Sequence, residues 1–119
     1  MKGIKTRIKE MKKDAGRGTF RWFVLNTIEQ EGWDNPEGYI NDVVTYGCIN
    51  GAVSHLTYTS DIHKVFDRYY YDIEEKIEEL KEELGEIPNR YDLDVKTLYV
   101  FIAFEETVRD IGIELGLDV

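Results

Sequence analysis

The sequence predicts an all-α protein, a compact helical bundle of about five helices built around a long antiparallel helical hairpin. Three observations carry this. Two stretches, about 61–84 and 94–115, place apolar residues at alternating spacings of three and four. β-branched residues nowhere alternate with polar ones over more than a few positions, so strand signals are poor. Only two prolines occur, Pro36 and Pro88, each where a helix should be interrupted.

In chain order, the first helix is expected from about Lys2 to Asp14, with Ile4, Ile8 and Met11 on one face and Gly16 and Gly18 stopping it. Thr19 offers an N-cap to a second helix, Phe20 to about Gln30, whose apolar face is Phe20, Phe23, Val24 and Ile28. Residues 31–36 read as a loop. A third helix opens at Pro36 or Glu37, since the first turn tolerates a missing N–H, and carries Ile40, Val43, Val44, Gly47 and Gly51. The hairpin follows. Its first arm runs from Asp61, capped by Thr59 or Ser60, to Leu84, with Phe66, Tyr70, Ile73, Ile77, Leu80 and Leu84 as a heptad-like seam and Gly85 at its end. Its second arm starts after Asp92 or Asp94 and carries Leu98, Phe101, Phe104, Val108, Ile111 and Leu115.

At 119 residues, 42% of them apolar, the whole chain (1–119) is expected to form one domain with one core. The longest uncharged run, Val43–Ser60, is broken by glycine, asparagine and hydroxyls, which argues against a membrane span. No apolar run follows the basic start, so no secretory signal is expected. A single cysteine cannot form an internal disulfide, and a cytoplasmic setting is the expectation. The net charge is −9, yet residues 1–21 hold eight basic side chains against Glu10 and Asp14. The acidic remainder argues against direct nucleic-acid binding, which is largely phosphate neutralisation. The basic end could hold one small anion, or simply attract the acidic remainder.

The stretch YGCINGAVSHLTYTSDIH, residues 46–63, concentrates the unusual residues. Were 37–58 one helix, Gly47, Gly51, Ser54 and Tyr58 would share a stripe, flanked by Asn50 and His55. Two interior glycines cost about 1 kcal/mol each relative to alanine, so they imply a return. The return is either close helix packing or a shallow groove edged by Asn50, Ser54, His55 and Tyr58. His63, with Asp61 and Asp67 nearby, raises the question of a metal. No second histidine stands at i+4 and no ExxH repeats on two helices, so no metal or other cofactor is expected. Cys48 and His55 would be about 10 Å apart along a helix, too far for proton transfer, and no catalytic set emerges. DIEEKIEELKEELGE reads first as a solvated face, with Glu78 and Lys81 as an i, i+3 pair, and second as a surface that mimics nucleic acid. Glu105 and Glu106 interrupt an aromatic seam; Glu105 is expected first to pair with Arg109 at i+4, and the alternative is that one of the two glutamates points inward toward a polar site. Arg17, Arg21 and Trp22 cluster at a helix start, where free N–H groups also attract anions.

The run YINDVVTYGCINGAVSHLTYTSDIHKVFDRYYYDIEE, followed by LYVFIAFEETVRDI, resembles a family of small uncharacterised proteins of tailed phages and prophages. Its pattern is a GC-x-SG-x-V turn, an apolar–Tyr–x–x–Asp–Thr step, an aromatic-rich helix and FAFEE. The matches are Gly47, Cys48, Gly51, Val53, Tyr58, Asp61, Phe66, Tyr70, Ile73, Phe101, Ala103, Phe104, Glu105 and Glu106; Asn50 replaces the usual serine and Ile62 the threonine. The resemblance covers about residues 39–111 and leaves the basic N-terminus unmatched. It implies a phage setting and supplies no mechanism.

Together these readings give an expected function: a non-catalytic phage protein that sequesters a small anionic, nucleotide-like signal of the host. Arg17 and Arg21 would take phosphate, Trp22 and Tyr58 would stack, and Asn50, Ser54, His55 and Asp61 would line the polar edge. Two rivals stand beside it. One is an acidic inhibitor that binds a host defence protein through residues 72–86. The other is a homodimer joined through the Gly47/Gly51 stripe.

Overall fold

The computed structural model of the chain describes residues 3–50, 62–89 and 92–119. The described residues form six helices and no strand: α1 (Ile4–Ala15), α2 (Phe20–Glu31), α3 (Pro36–Asn50), α4 (Ile62–Arg68), α5 (Tyr70–Leu84) and α6 (Val95–Glu114). The all-α bundle is as the sequence predicts, with six helices among the described residues where about five were expected along the chain.

Local signals set most boundaries. Thr19 Oγ1 accepts the Trp22 N–H at 3.0 Å and so caps α2. Pro36 opens α3 and Gly85 ends α5. Asp94 caps α6 by accepting from the Thr97 N–H at 3.1 Å and the Thr97 hydroxyl at 2.7 Å.

α6 is the centre of the bundle and packs against α2, α3, α4 and α5. Its sequence is apolar around most of its circumference, as a helix enclosed by others must be, and Val100, Phe101, Ala103, Phe104, Val108 and Ile111 are all buried. α3 lies antiparallel to it in a register fixed by two glycines. A Cβ on Gly112 would stand 3.1 Å from Ile40 Cγ2, so the missing side chain lets α3 approach. One helical stretch further along, the Gly47 side of α3 meets Glu105. Gly47 itself is not helical: its φ of 79° and ψ of 176° break α3. The expected continuous stripe from Gly47 onward is therefore interrupted at its first residue.

The first hairpin arm also differs from expectation. The chain breaks at Tyr69 into α4 and α5, because Tyr69 leaves helical geometry (φ −114°, ψ 29°) and enters an aromatic cluster on α2. Its ring lies 5.4 Å from Phe23 and 5.7 Å from Phe20, and Phe23 meets Phe104 edge-on at 6.4 Å. Tyr69 is consequently 5% exposed, whereas Tyr70, the residue expected in the seam, is 45% exposed. Leu84, also expected inside, is 62% exposed, while Phe66, Ile73, Ile77 and Leu80 are buried. α5 still runs antiparallel to α6, with Lys76 Nζ 2.7 Å from Asp110 near one end and Lys81 over the Tyr99 ring near the other.

α1 is tied to the far end of the chain. The Arg7 guanidinium donates to the carbonyls of Leu115 at 3.0 Å and Glu114 at 2.8 Å. These are orphan acceptors at the negative end of α6, where a cation is favoured. Among the described residues, no helix is long and apolar enough to cross a membrane.

Candidate functional site

The cluster expected at the start of α2 is partly assembled. Arg17 stands over the Trp22 indole at 5.5 Å, and Lys12, delivered by α1, stands over the same ring at 5.0 Å. Arg21 does not join them. Its guanidinium pairs with Glu114 Oε2 at 2.7 Å and lines a cleft of about 350 Å³ shared with Asp72, Glu75, Lys76, Glu79 and Asp110. Two of the N–H groups expected to attract an external anion are already engaged: Phe20 N–H donates to Asp72 Oδ2 at 2.8 Å and Trp22 N–H to Thr19 Oγ1 at 3.0 Å. The helix start is thus neutralised by a carboxylate from α5. Ser54, His55, Tyr58 and Asp61, with Gly51 and the proposed Thr59/Ser60 cap, lie outside the described residues, and Cys48 and Asn50 are described only as helix backbone.

One expected pairing, Glu105 with Arg109, is replaced, and His63 and Asp67 each take a partner at the start of α6. His63 meets Asp94 Oδ2 at 2.9 Å, and Asp67 is taken by Lys96 at 2.9 Å, because α4 packs on the start of α6. Arg109 approaches Glu106, at 3.9 Å, while Glu105 Oε1 lies 2.7 Å from the Cβ position of Gly47. The Glu78–Lys81 pair forms as expected, at 3.8 Å.

Burial pushes the Glu106 carboxyl above its ordinary range, and neighbouring Asp110 adds to the rise. Burial pulls the Lys76 ammonium down, but Asp110 and Glu79 outweigh it and hold the group above its ordinary value. Hydrogen bonds from the hydroxyl and N–H of Thr97 hold Asp94 below the usual carboxylate range, with His63 a smaller contributor. Among the described residues no group of three or more His, Cys, Asp or Glu side chains is placed to hold a metal.

Sequence reasoning passed over a second tryptophan site. The α2–α3 loop presents Trp33 with 72% of its surface exposed, beside a groove of about 320 Å³ lined by Lys5, Ile8, Lys9, Glu29, Trp33 and Pro36. Ile8 and Pro36 form a buried apolar floor. Lys5 Nζ stands 5.8 Å from the indole centroid. Glu29 Oε1 accepts from Lys12 at 2.9 Å, and its Oε2 is buried without a hydrogen-bond partner. The available signal was a tryptophan in an otherwise polar loop, with Lys5 and Lys9 four apart on the first helix.

The basic first helix of the bundle thus carries a cation to each of the two tryptophans, Lys12 to Trp22 and Lys5 to Trp33. The chain belongs to a family described as a domain of unknown function (DUF7222), whose model matches residues 3–117. The match includes the basic N-terminal helix, which the resemblance over about 39–111 left out. No curated protein and no solved structure matches the chain.

Proposed function

We propose that this protein is a non-catalytic binding protein that takes up a small anionic, nucleotide-like molecule on its basic N-terminal side. One observation carries the reading: both tryptophans stand beneath cations from the basic first 21 residues, Lys12 and Arg17 at Trp22 and Lys5 at Trp33. Guanidinium or ammonium groups beside an indole suit a ligand that joins a negative charge to a stackable ring. In the phage setting implied by the family resemblance, uptake of such a molecule would withdraw a host defence signal. The test is a thermal-shift panel of cyclic and linear nucleotides against the whole chain. A ligand at 100 times its Kd should stabilise by about 2.7 kcal/mol. A flat response across the panel removes this reading.

A second reading is supported by α5. Glu75, Glu78, Glu79, Glu82 and Glu83 are exposed along it, and the helix is bracketed by Tyr71, 84% exposed, and Leu84. Acidic side chains with apolar residues at the margins suit a basic protein surface. Reversing Glu75, Glu79 and Glu82 to lysine should abolish capture of one host protein. Unchanged capture by that variant removes the reading.

A further inference from the structure

Resting on the first reading above, we infer that the ligand site is the Trp33 groove rather than the Arg17/Trp22 cluster, and that it takes a single mononucleotide, guanine favoured. At Trp22 the neighbouring Lys12 is already committed to Asn26 Oδ1 at 2.8 Å and Glu29 Oε1 at 2.9 Å, and Arg21 to Glu114. Of the two cations over Trp22, Lys12 is therefore spoken for, and Arg21 is held away from the ring. The Trp33 groove is different. Lys5 and Lys9 are exposed, one turn apart on α1, and neither has a carboxylate partner among the described residues.

Each wall of the groove matches one part of such a ligand. The exposed indole offers a stacking face, and the Ile8–Pro36 floor offers apolar contact for the ring. Lys5 and Lys9 stand where a phosphate could be shared between two ammonium groups, Lys5 already beside the indole. Glu29 supplies the selective element: its Oε2 is sealed at the groove edge, and a turn of the partly exposed side chain would present it to a ligand. A buried carboxylate oxygen without a donor is costly, and a ligand N–H would relieve that cost. A guanine edge carries two adjacent N–H donors, N1–H and the 2-amino group, so it has a donor for this acceptor in more poses than adenine, whose edge has one donor group. A groove of about 320 Å³ lies at the small end of ligand sites, which favours one nucleotide over a dinucleotide.

The experiment is calorimetric titration of the whole chain with GMP, AMP and inorganic phosphate, repeated on Trp33→Ala, Lys9→Ala and Glu29→Gln. Trp33 is exposed, so its loss leaves the core intact, and circular dichroism melts check each variant. GMP should bind more tightly than AMP and far more tightly than phosphate. Trp33→Ala should weaken GMP by about tenfold or more, the worth of one stacked base. Lys9→Ala should weaken both nucleotides alike, and Glu29→Gln should narrow the gap between GMP and AMP. If GMP binds the wild type and Trp33→Ala equally well, the site lies elsewhere and this inference falls while the general reading stands. Phosphate binding as tight as GMP binding also overturns it. If neither nucleotide binds the wild type, the inference falls, and the wider nucleotide panel decides the general reading.

Discussion

Glu105 Oε1 of the central helix lies 2.7 Å from the point where a Cβ would stand on Gly47, and Gly47 occupies a backbone conformation open almost only to glycine. The α3–α6 contact is therefore closed to any side chain at this position for two separate reasons, contact and φ. Gly47→Ala is expected to destabilise by about 1–3 kcal/mol, the usual cost of forcing such a conformation. Adding Glu105→Ala should recover only the contact component, leaving most of the loss in a urea melt. Full recovery in the double variant would show that the backbone contributes nothing.

Tyr69 and Tyr70 should respond very differently to truncation. Tyr69→Ala removes a buried ring between Phe20 and Phe23 and should cost about 3–5 kcal/mol. Tyr70→Ala removes a ring that is half exposed and should cost much less, about 1 kcal/mol. Chemical denaturation of the pair decides between the broken arm and a continuous seam, which predicts the opposite order.

Arg7→Ala should cost about 1–3 kcal/mol, since it strips two charge-assisted hydrogen bonds from the end of α6. Arg7→Lys should recover less than half of this, because an ammonium cannot span two carbonyls as a planar fork does. Hydrogen exchange should reveal the change at both α1 and the last turn of α6. Protection that drops only in α1 would contradict the cross-link.

The Glu106 carboxyl is held above its ordinary pKa, so the folded state binds its proton more tightly than the unfolded chain does. Its ionisation therefore costs stability as pH rises past about 4.3, the unfolded value. Glu106→Gln should raise the melting temperature at about pH 7, with the difference fading as pH falls toward about 4. A gain of equal size at both pH values would show that ionisation is not its source.

Asp94 works with the opposite sign. Its pKa is lowered by the Thr97 donors, so its contribution is present above about pH 3.9 and is lost as pH falls through the depressed folded value. Asp94→Ala should cost about 1 kcal/mol near neutrality, the worth of an N-cap, and little in strong acid. The His63 pair is exposed and screened, so His63→Ala should change stability by only a few tenths of a kcal/mol.

Short-range features of this fold were legible in the sequence. Thr19, Pro36, Gly85 and Asp94 each act through neighbours within a turn, and each sits where its chemistry requires. The break at Tyr69 was not legible, because three consecutive tyrosines make a one-residue shift of the apolar face invisible to hydropathy. No glycine or proline marks it; the cause is a contact with α2, some fifty positions earlier. The partners of Arg21, His63 and Arg7 were hidden for the same reason. Local spacing offered His63 the nearby Asp67, and only packing of α4 on α6 brings Asp94 closer. Of the candidate site, Arg17 and Trp22 were found because they are neighbours in sequence. The Trp33 groove escaped notice because α1 and a loop more than twenty residues later build it together.

The Arg7 cross-link also bears on the order in which the molecule can be made. Its partners lie 107 and 108 positions downstream, so during synthesis the first helix emerges long before the carbonyls that hold it exist. Until then α1 leans on α2 and α3, and its basic side chains are free to meet an acidic surface nearby. Closure of the bundle is thus a late event of high sequence separation, which slows folding relative to a bundle of sequential hairpins. A nascent chain stalled before residue 114 should leave α1 readily cut by protease, and one released past residue 115 should not.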